Sequence, residues 1–433
     1  MKQLKVALVG AGNRGNTYCG YSLSEPDELK VVAVVDIDPV HRNESAERYG
    51  LAAERSFSAL DDFLAAKIEC DFVVNATMDE MHYETAIKLI GAGYNLVLEK
   101  PITPTYEQLK EIETLAKEKG VKILVCHVLR YTPFFRTIKK LIKEGKIGKI
   151  NTIEMNEHVG IYHFLDSYVR GKWNSEKTCG SGFLLAKCCH DTDLMCWLND
   201  ASEPDKVSSF GSRALFIPQN APVGATEFCY QCPHVKTCMY SAQKTHLEQD
   251  LMPFQTWQRM GKSIDEITRE EKEEFLKTDV YGRCAFRSGG DIVDRQMVQV
   301  QFKNGSLATL NMVGGASKAG RWLHIVGTEG EIVGYVEEGK FTLVRFNWQD
   351  GRFEESEEVI DVSSMIVNNS QYSGHAGGDY ALMHDAVRFF AGEGESISVT
   401  KIGDSVNGHM IAYAAEESRK NGVVVSLDEM RSR

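Results

Sequence analysis

The stretch Gly10-Ala11-Gly12-Asn13-Arg14-Gly15, directly after the apolar run Lys5–Val9, constrains this chain more than any other feature. Three glycines at that spacing between a strand and a helix meet three separate needs. The first allows a tight turn, the second lets the backbone approach a pyrophosphate, and the third lets helix and strand pack closely. The helix N-terminus then favours the anion. A second apolar run, Lys30–Val35, ends at Asp36, twenty-one residues past Gly15. A carboxylate there accepts hydrogen bonds from the adenosine ribose hydroxyls and repels a 2′-phosphate, which favours NAD over NADP.

The pattern continues as βα units. Asp71–Ala76, Asn95–Leu98 and Lys122–Val125 are further short apolar runs, separated by the helical patterns Glu84–Ile90 and Tyr106–Lys119, each followed by a glycine stop. Strands buried on both faces read this way, and they imply a doubly wound parallel sheet of Rossmann type over residues 1–127. From 128 to 433 the pattern changes. Ile150–Glu157, Val207–Phe216, Met297–Phe302, Leu307–Met312 and Leu323–Val326 alternate in polarity and are joined by turn signals such as Lys303-Asn304-Gly305. That predicts an α+β domain with a large, mainly antiparallel sheet. Helices are predicted near Leu184–Trp197, Tyr380–Phe390 and Ser405–Glu417, and an irregular, cysteine-bearing insertion at about 217–290.

Composition narrows the partners. The 433 residues carry a net charge of −12, which argues against general binding to nucleic acid or anionic membranes. No run of about 18 apolar residues occurs, and the N-terminus runs straight into a strand, so the expected location is the cytoplasm. The chain has eleven cysteines. Cys229-x-x-Cys232 followed by Cys238 and Cys284, with His234 as a substitute ligand, fits a structural Zn site. Free thiols or an iron–sulfur cluster are the other readings.

At Glu99-Lys100-Pro101, after the fifth strand, the sequence resembles the Gfo/Idh/MocA oxidoreductases, of glucose–fructose oxidoreductase and inositol dehydrogenase type. The glycine loop, the Asn75-Ala76-Thr77 strand end with His82, the EKP triplet and a later histidine-bearing helix follow the family order. The resemblance implies NAD held by Gly10, Gly12, Asn13, Arg14, Gly15, Asp36, Ala76, Thr77, His82, Glu99, Lys100 and Arg130. It implies that Lys100 acts on the substrate oxygen and that His190 exchanges its proton. His190 and Asp193 match the family's helix, whereas Lys187 stands where an aspartate is usual, which makes this a divergent member with Lys187 as a third catalytic candidate.

For substrate, the candidates are Lys100, Tyr168, Arg170, Trp173, Lys187, His190, Asp193 and His375. A guanidinium beside aromatics, as in Tyr168–Trp173, suits a sugar, although the same residues serve equally as an ordinary loop. The glycine-rich stretch Ser373-Gly374-His375 either closes over the substrate or only turns into the next helix. The expected activity is NAD-dependent oxidation of a secondary alcohol of a sugar, cyclitol or sugar derivative. The alternatives are an NAD-recycling glycoside hydrolase, working by oxidation, elimination and re-reduction, and a non-catalytic NAD/sugar sensor. A homodimer or homotetramer is expected, because an antiparallel sheet with one bare face favours association.

Overall fold

Consecutive residues of a buried strand must satisfy two opposite layers, and the first strand shows how. In the computed structural model, which describes residues 2–349, 352–366 and 374–433, β1 (Leu4–Val9) sends Val6 and Leu8 to one core and Ala7 and Val9 to another. It lies third in a parallel sheet with β2 (Leu29–Val35), β3 (Ser56–Phe57), β4 (Phe72–Asn75), β5 (Leu96–Leu98) and β6 (Ile123–Val125), ordered β3-β2-β1-β4-β5-β6. Helices His82–Gly91 and Tyr106–Lys119 cover one face. The second begins at Thr105, whose hydroxyl accepts from the Gln108 N–H, and stops at the left-handed Gly120 (φ 66°).

The other face is covered partly from the far end of the chain. Leu382, Met383, Ala386 and Val387, on helix Gly378–Ala391, join the core of Val6, Leu8 and Val74. The boundary expected at residue 127 therefore divides the sequence more cleanly than the packing.

The second sheet is large and mostly antiparallel. Its strands are β7 (Ile150–Gly160), β8 (Pro204–Ser212), β9 (Arg295–Phe302), β10 (Leu307–Ala316), β11 (Gly320–Gly327), β12 (Gly330–Tyr335), β13 (Lys340–Gln349), β14 (Arg352–Asp361) and β15 (Val425–Ser426). They are ordered β14-β13-β12-β11-β7-β10-β9-β8-β15, with β7 and β10 parallel. The inner face packs against helices Phe183–Leu198 and Ile402–Asn421. β12 to β14 were not anticipated. β14 is an acidic edge strand, RFEESEEVID, and an edge needs no apolar alternation to be held. Between β8 and β9 the insertion forms short helical turns around a small core of Trp257, Ile267, Leu276 and Tyr281. Among the described residues no helix is long and apolar enough to cross a membrane.

Helix Phe183–Leu198 is buried nearly all round, so its polar residues need internal partners. Asp193 finds one in Arg130, on the turn after β6, through a bidentate pair at 2.6 and 2.6 Å. Both side chains are almost fully buried. Replacing Asp193 with Asn is expected to strand the Arg130 charge and cost about 3–5 kcal/mol of unfolding free energy. Urea denaturation measures it, and a loss below about 1 kcal/mol contradicts a structural role for the pair.

Candidate active site

The glycine loop is shaped as its sequence requires. At Gly10 (φ +86°) an added Cβ would lie 2.5 Å from the Ala76 carbonyl oxygen. At Gly15 it would lie 2.1 Å from the Gly10 oxygen and 2.7 Å from the Leu8 side chain. At Gly12 it would meet nothing within 4 Å. Two glycines thus serve close packing, and the middle one faces open space where a pyrophosphate can approach, with the exposed Asn13 beside it. Asp36 stands at the end of β2 and braces this loop: its carboxylate accepts from the Ala11 N–H at 2.6 Å and the Asp38 N–H at 2.8 Å. Two neighbours escaped the sequence reading. Ile37 is 76% exposed beside Asp36, an apolar surface suited to an adenine ring, and Arg42 donates to the Asp36 carbonyl oxygen at 2.8 Å. These features fit an NAD-type dinucleotide.

Arg14 points from the loop into a knot of charges. It donates to Glu99 at 2.9 Å, to Asp379 at 2.5 Å and to the Tyr18 hydroxyl at 2.5 Å, while the Tyr18 hydroxyl donates to Glu99 at 2.9 Å. Burial opposes ionisation of both carboxyls, yet Arg14 holds them charged: the Glu99 pKa lies below its ordinary value, and His375 helps to lower that of Asp379 further. Asp379 in turn accepts from His375 Nδ1 at 3.1 Å. His375 and Ala376 both have left-handed φ values of 50°, and Ser373 lies outside the described residues.

Lys100 sits at the C-terminal end of β5, before a cis Lys100–Pro101 peptide. Its Nζ donates to the Ala186 carbonyl oxygen at 2.9 Å. In a regular α-helix that carbonyl also accepts the His190 N–H, so Lys100 docks on the turn that carries His190. Burial presses the Lys100 ammonium towards neutrality, but Cys189, Glu99 and Asp79 outweigh it and raise its pKa. His190 goes the other way. Burial, then Lys100, His127, His375 and Arg321, push its pKa well below the usual range, so the imidazole is neutral at working pH. Its buried Nδ1 has no hydrogen-bond partner among the described residues. His127 and His375 flank it, with ring centroids at 5.6 and 6.2 Å.

Lys187 and Trp173 come to this place. The Lys187 Nζ lies 3.7 Å from Glu157, which Arg321 contacts at 2.8 Å. The Trp173 ring N–H donates to Asp79 at 3.1 Å, and the Lys172 ammonium lies 4.3 Å from its ring centroid. Ala76 and Thr77 stand half-buried at the end of β4 beside Gly10. Lys172 and His163 were both missed, because a lone basic residue in a loop carries no signal until the fold gathers it.

Other candidates are engaged with protein partners. His82 is fully buried with its ring nitrogens against the Pro101 and Thr77 carbonyls, so it braces the two strand-end turns. Arg130 and Asp193 are consumed by each other. Arg170 is 1% exposed and donates to the Arg283 and Tyr240 carbonyls, which pins the insertion to the sheet domain. Tyr168 is buried against Phe183, with ring centroids 4.4 Å apart.

The Zn expectation needs correcting. Cys229, Cys232, Cys238, Cys284 and His234 do line one small cavity. Yet among the described residues no three ligating side chains are arranged to hold a metal ion. Cys229 Sγ instead faces the Arg283 carbonyl at 3.7 Å and the Ala242 N–H at 3.5 Å, and His234 Nε2 faces the Val223 carbonyl.

Comparison with known proteins agrees with this geometry. A family model described as an oxidoreductase family NAD-binding Rossmann fold matches residues 4–127, and its companion, a C-terminal alpha/beta domain, matches 139–427. The chain is 26% identical to the putative oxidoreductase YteT of Bacillus subtilis over 82% of this chain and 81% of that protein. It is 30% identical to the scyllo-inositol 2-dehydrogenase (NADP(+)) IolW of the same organism, over 44% of this chain and 50% of that one. A solved levoglucosan dehydrogenase, in complex with NADH and L-sorbose, shares the fold with a TM-score of 0.69 at 20% identity, covering 99% of each chain.

The three glycines separate binding from folding. Gly12→Ala is expected to leave the melting temperature unchanged and weaken NAD binding about tenfold or more by intruding on the pyrophosphate. Gly15→Ala is expected to lower the melting temperature as well, since its Cβ meets the backbone. Calorimetry of NAD binding beside thermal melts checks both.

Proposed function

Because the chain belongs to the Gfo/Idh/MocA oxidoreductase family, we propose that it is a cytoplasmic, NAD-preferring dehydrogenase for a secondary alcohol of a sugar, cyclitol or sugar derivative. The observation that carries this is Lys100 docked on the turn that bears a neutral His190. The nicotinamide supplies a hydride acceptor for the carbon; everything else falls to side chains. With one N–H given to Ala186, Lys100 keeps two for the substrate oxygen, where it stabilises negative charge as the O–H proton leaves. Neutral His190 accepts that proton. Glu99, tied down by Arg14 and Tyr18, fixes the turn from which Lys100 projects. Asp36 supports the preference for NAD, as its charge disfavours a 2′-phosphate.

A second reading has one observation in its favour. His375, backed by Asp379, faces His190 across 6.2 Å, so two imidazoles flank the reacting region. One suits an O–H proton and the other a neighbouring C–H proton, as oxidation, elimination and re-reduction of a glycoside demand. Sugar release without net NADH would support that reading; steady NADH formation supports the dehydrogenase.

Lys100→Met is expected to lower kcat about 10³-fold with NADH binding retained, and His190→Asn about 10²–10³-fold. The acidic fall in kcat/KM should lie below the ordinary histidine value of about pH 6.5, because a base with a lowered pKa is protonated only at lower pH. A Lys100→Met protein that turns nothing over yet keeps its biological activity would favour the sensor reading.

The outer face of the second sheet is the surface we propose for a homodimer or homotetramer. Phe210, 78% exposed, lies opposite Met297, 60% exposed, on neighbouring strands. Phe210→Glu is expected to shift the mass seen by light scattering towards the monomer.

A further inference from the structure

Resting on the dehydrogenase reading above, we propose that the substrate carries an anionic oxygen group, a carboxylate or phosphate, seated against Lys187 on the helix turn where Lys100 docks. Three lysines edge the reacting region, and among the described residues none of their ammonium groups donates a hydrogen bond to a carboxylate. Lys100 donates to a carbonyl. The Lys172 Nζ reaches the Met78 sulfur at 3.2 Å and lies over the Trp173 ring. Lys187 is the least satisfied of the three. Its nearest carboxylate oxygen, on Glu157, stands at 3.7 Å, beyond a hydrogen bond.

Glu157 is not free to answer it. Its other oxygen lies 2.8 Å from Arg321, which also holds Asp191 at 2.8 Å. Lys187 therefore keeps three unfilled donors with only about a fifth of its side chain exposed. Burial disfavours its charge more than Glu157 restores it, and Arg321 and Lys100 add to that cost. A half-buried ammonium among like charges is costly unless something negative completes it. His163 adds a neutral donor or acceptor: burial first, then Lys187 and Lys100, push its pKa down to about 3. A carboxylate, with acceptor room for several donors, satisfies more of the open Lys187 donors than a single hydroxyl does.

The spacing narrows the chemistry further. Lys187 and His190 share one helix face with Cβ atoms about 5–6 Å apart. The anionic group then lies within a few bonds of the oxidised carbon, as in an aldonic or uronic acid or a phosphate on a neighbouring carbon.

The test uses the whole purified protein with NAD+. Gluconate, glucuronate and galacturonate form one arm, glucose 6-phosphate a second, and glucose, sorbitol and myo-inositol a third, with NADH formation as the readout. An acid or phosphate is expected to exceed its neutral counterpart at least tenfold in kcat/KM, and the first two arms tell carboxylate from phosphate. Lys187→Met is expected to lower that kcat/KM about 10–100-fold, mainly through KM, while Lys187→Arg recovers much of it. Neutral sugars turned over equally well overturn the anionic group and leave the dehydrogenase standing. No NADH in any arm overturns the dehydrogenase reading. The anion is then judged by melting of the NADH-loaded protein: stabilisation by gluconate but not sorbitol, lost in Lys187→Met, supports it, and equal shifts overturn it.

Discussion

One guanidinium holds the two halves of the molecule in register. Arg14 leaves the glycine loop and meets Glu99 from the turn after β5 and Asp379 from helix Gly378–Ala391, residues 85 and 365 positions away. One cation between two carboxylates keeps both ionised in a place where burial favours their neutral forms. The glycine loop, the turn that carries Lys100 and the helix that follows His375 are thereby fixed to one another. A shift in any one of them would leave a buried charge unpaired, and that cost is what makes the geometry reproducible.

Helix Phe183–Leu198 depends on the same logic. It is too deeply buried to leave polar groups to water, so Asp193 is answered by Arg130 and Asp191 by Arg321. These pairs anchor it to the turn after β6 and to β11 of the second sheet. Lys187 lies on the same helix, and Glu157 on β7 stands near it without completing it. The helix thus presents an incompletely paired ammonium while its supporting pairs remain closed.

Much of the architecture was legible because it follows from short-range rules. Apolar runs such as Lys30–Val35 can lie only between two covered faces, and Gly120 and Gly10 mark turns that side chains resist. The triplet Glu99-Lys100-Pro101 was legible because position at a strand end already says where it points. Partnerships made over long separations were not. Nothing in the local sequence shows that Arg170 would spend its guanidinium on two carbonyls of the insertion, or that Asp193 would turn inward to Arg130. The cysteine spacing suggested a metal because spacing alone cannot show that a thiol faces a carbonyl instead of a shared centre.

The contrast between the satisfied and the unsatisfied charges is itself informative. Among the described residues Arg14, Arg130 and Arg321 each have a carboxylate within 3 Å of the guanidinium, whereas the ammonium groups of Lys100, Lys172 and Lys187 have none. The division follows chemistry. A planar, permanently charged fork suits a fixed ion pair, and a compact ammonium with three rotatable donors suits a partner that comes and goes. Leaving such donors open costs stability in the empty protein, and that cost is recovered when a ligand fills them. The arginines therefore build the frame, and the lysines are what the frame holds ready for a ligand.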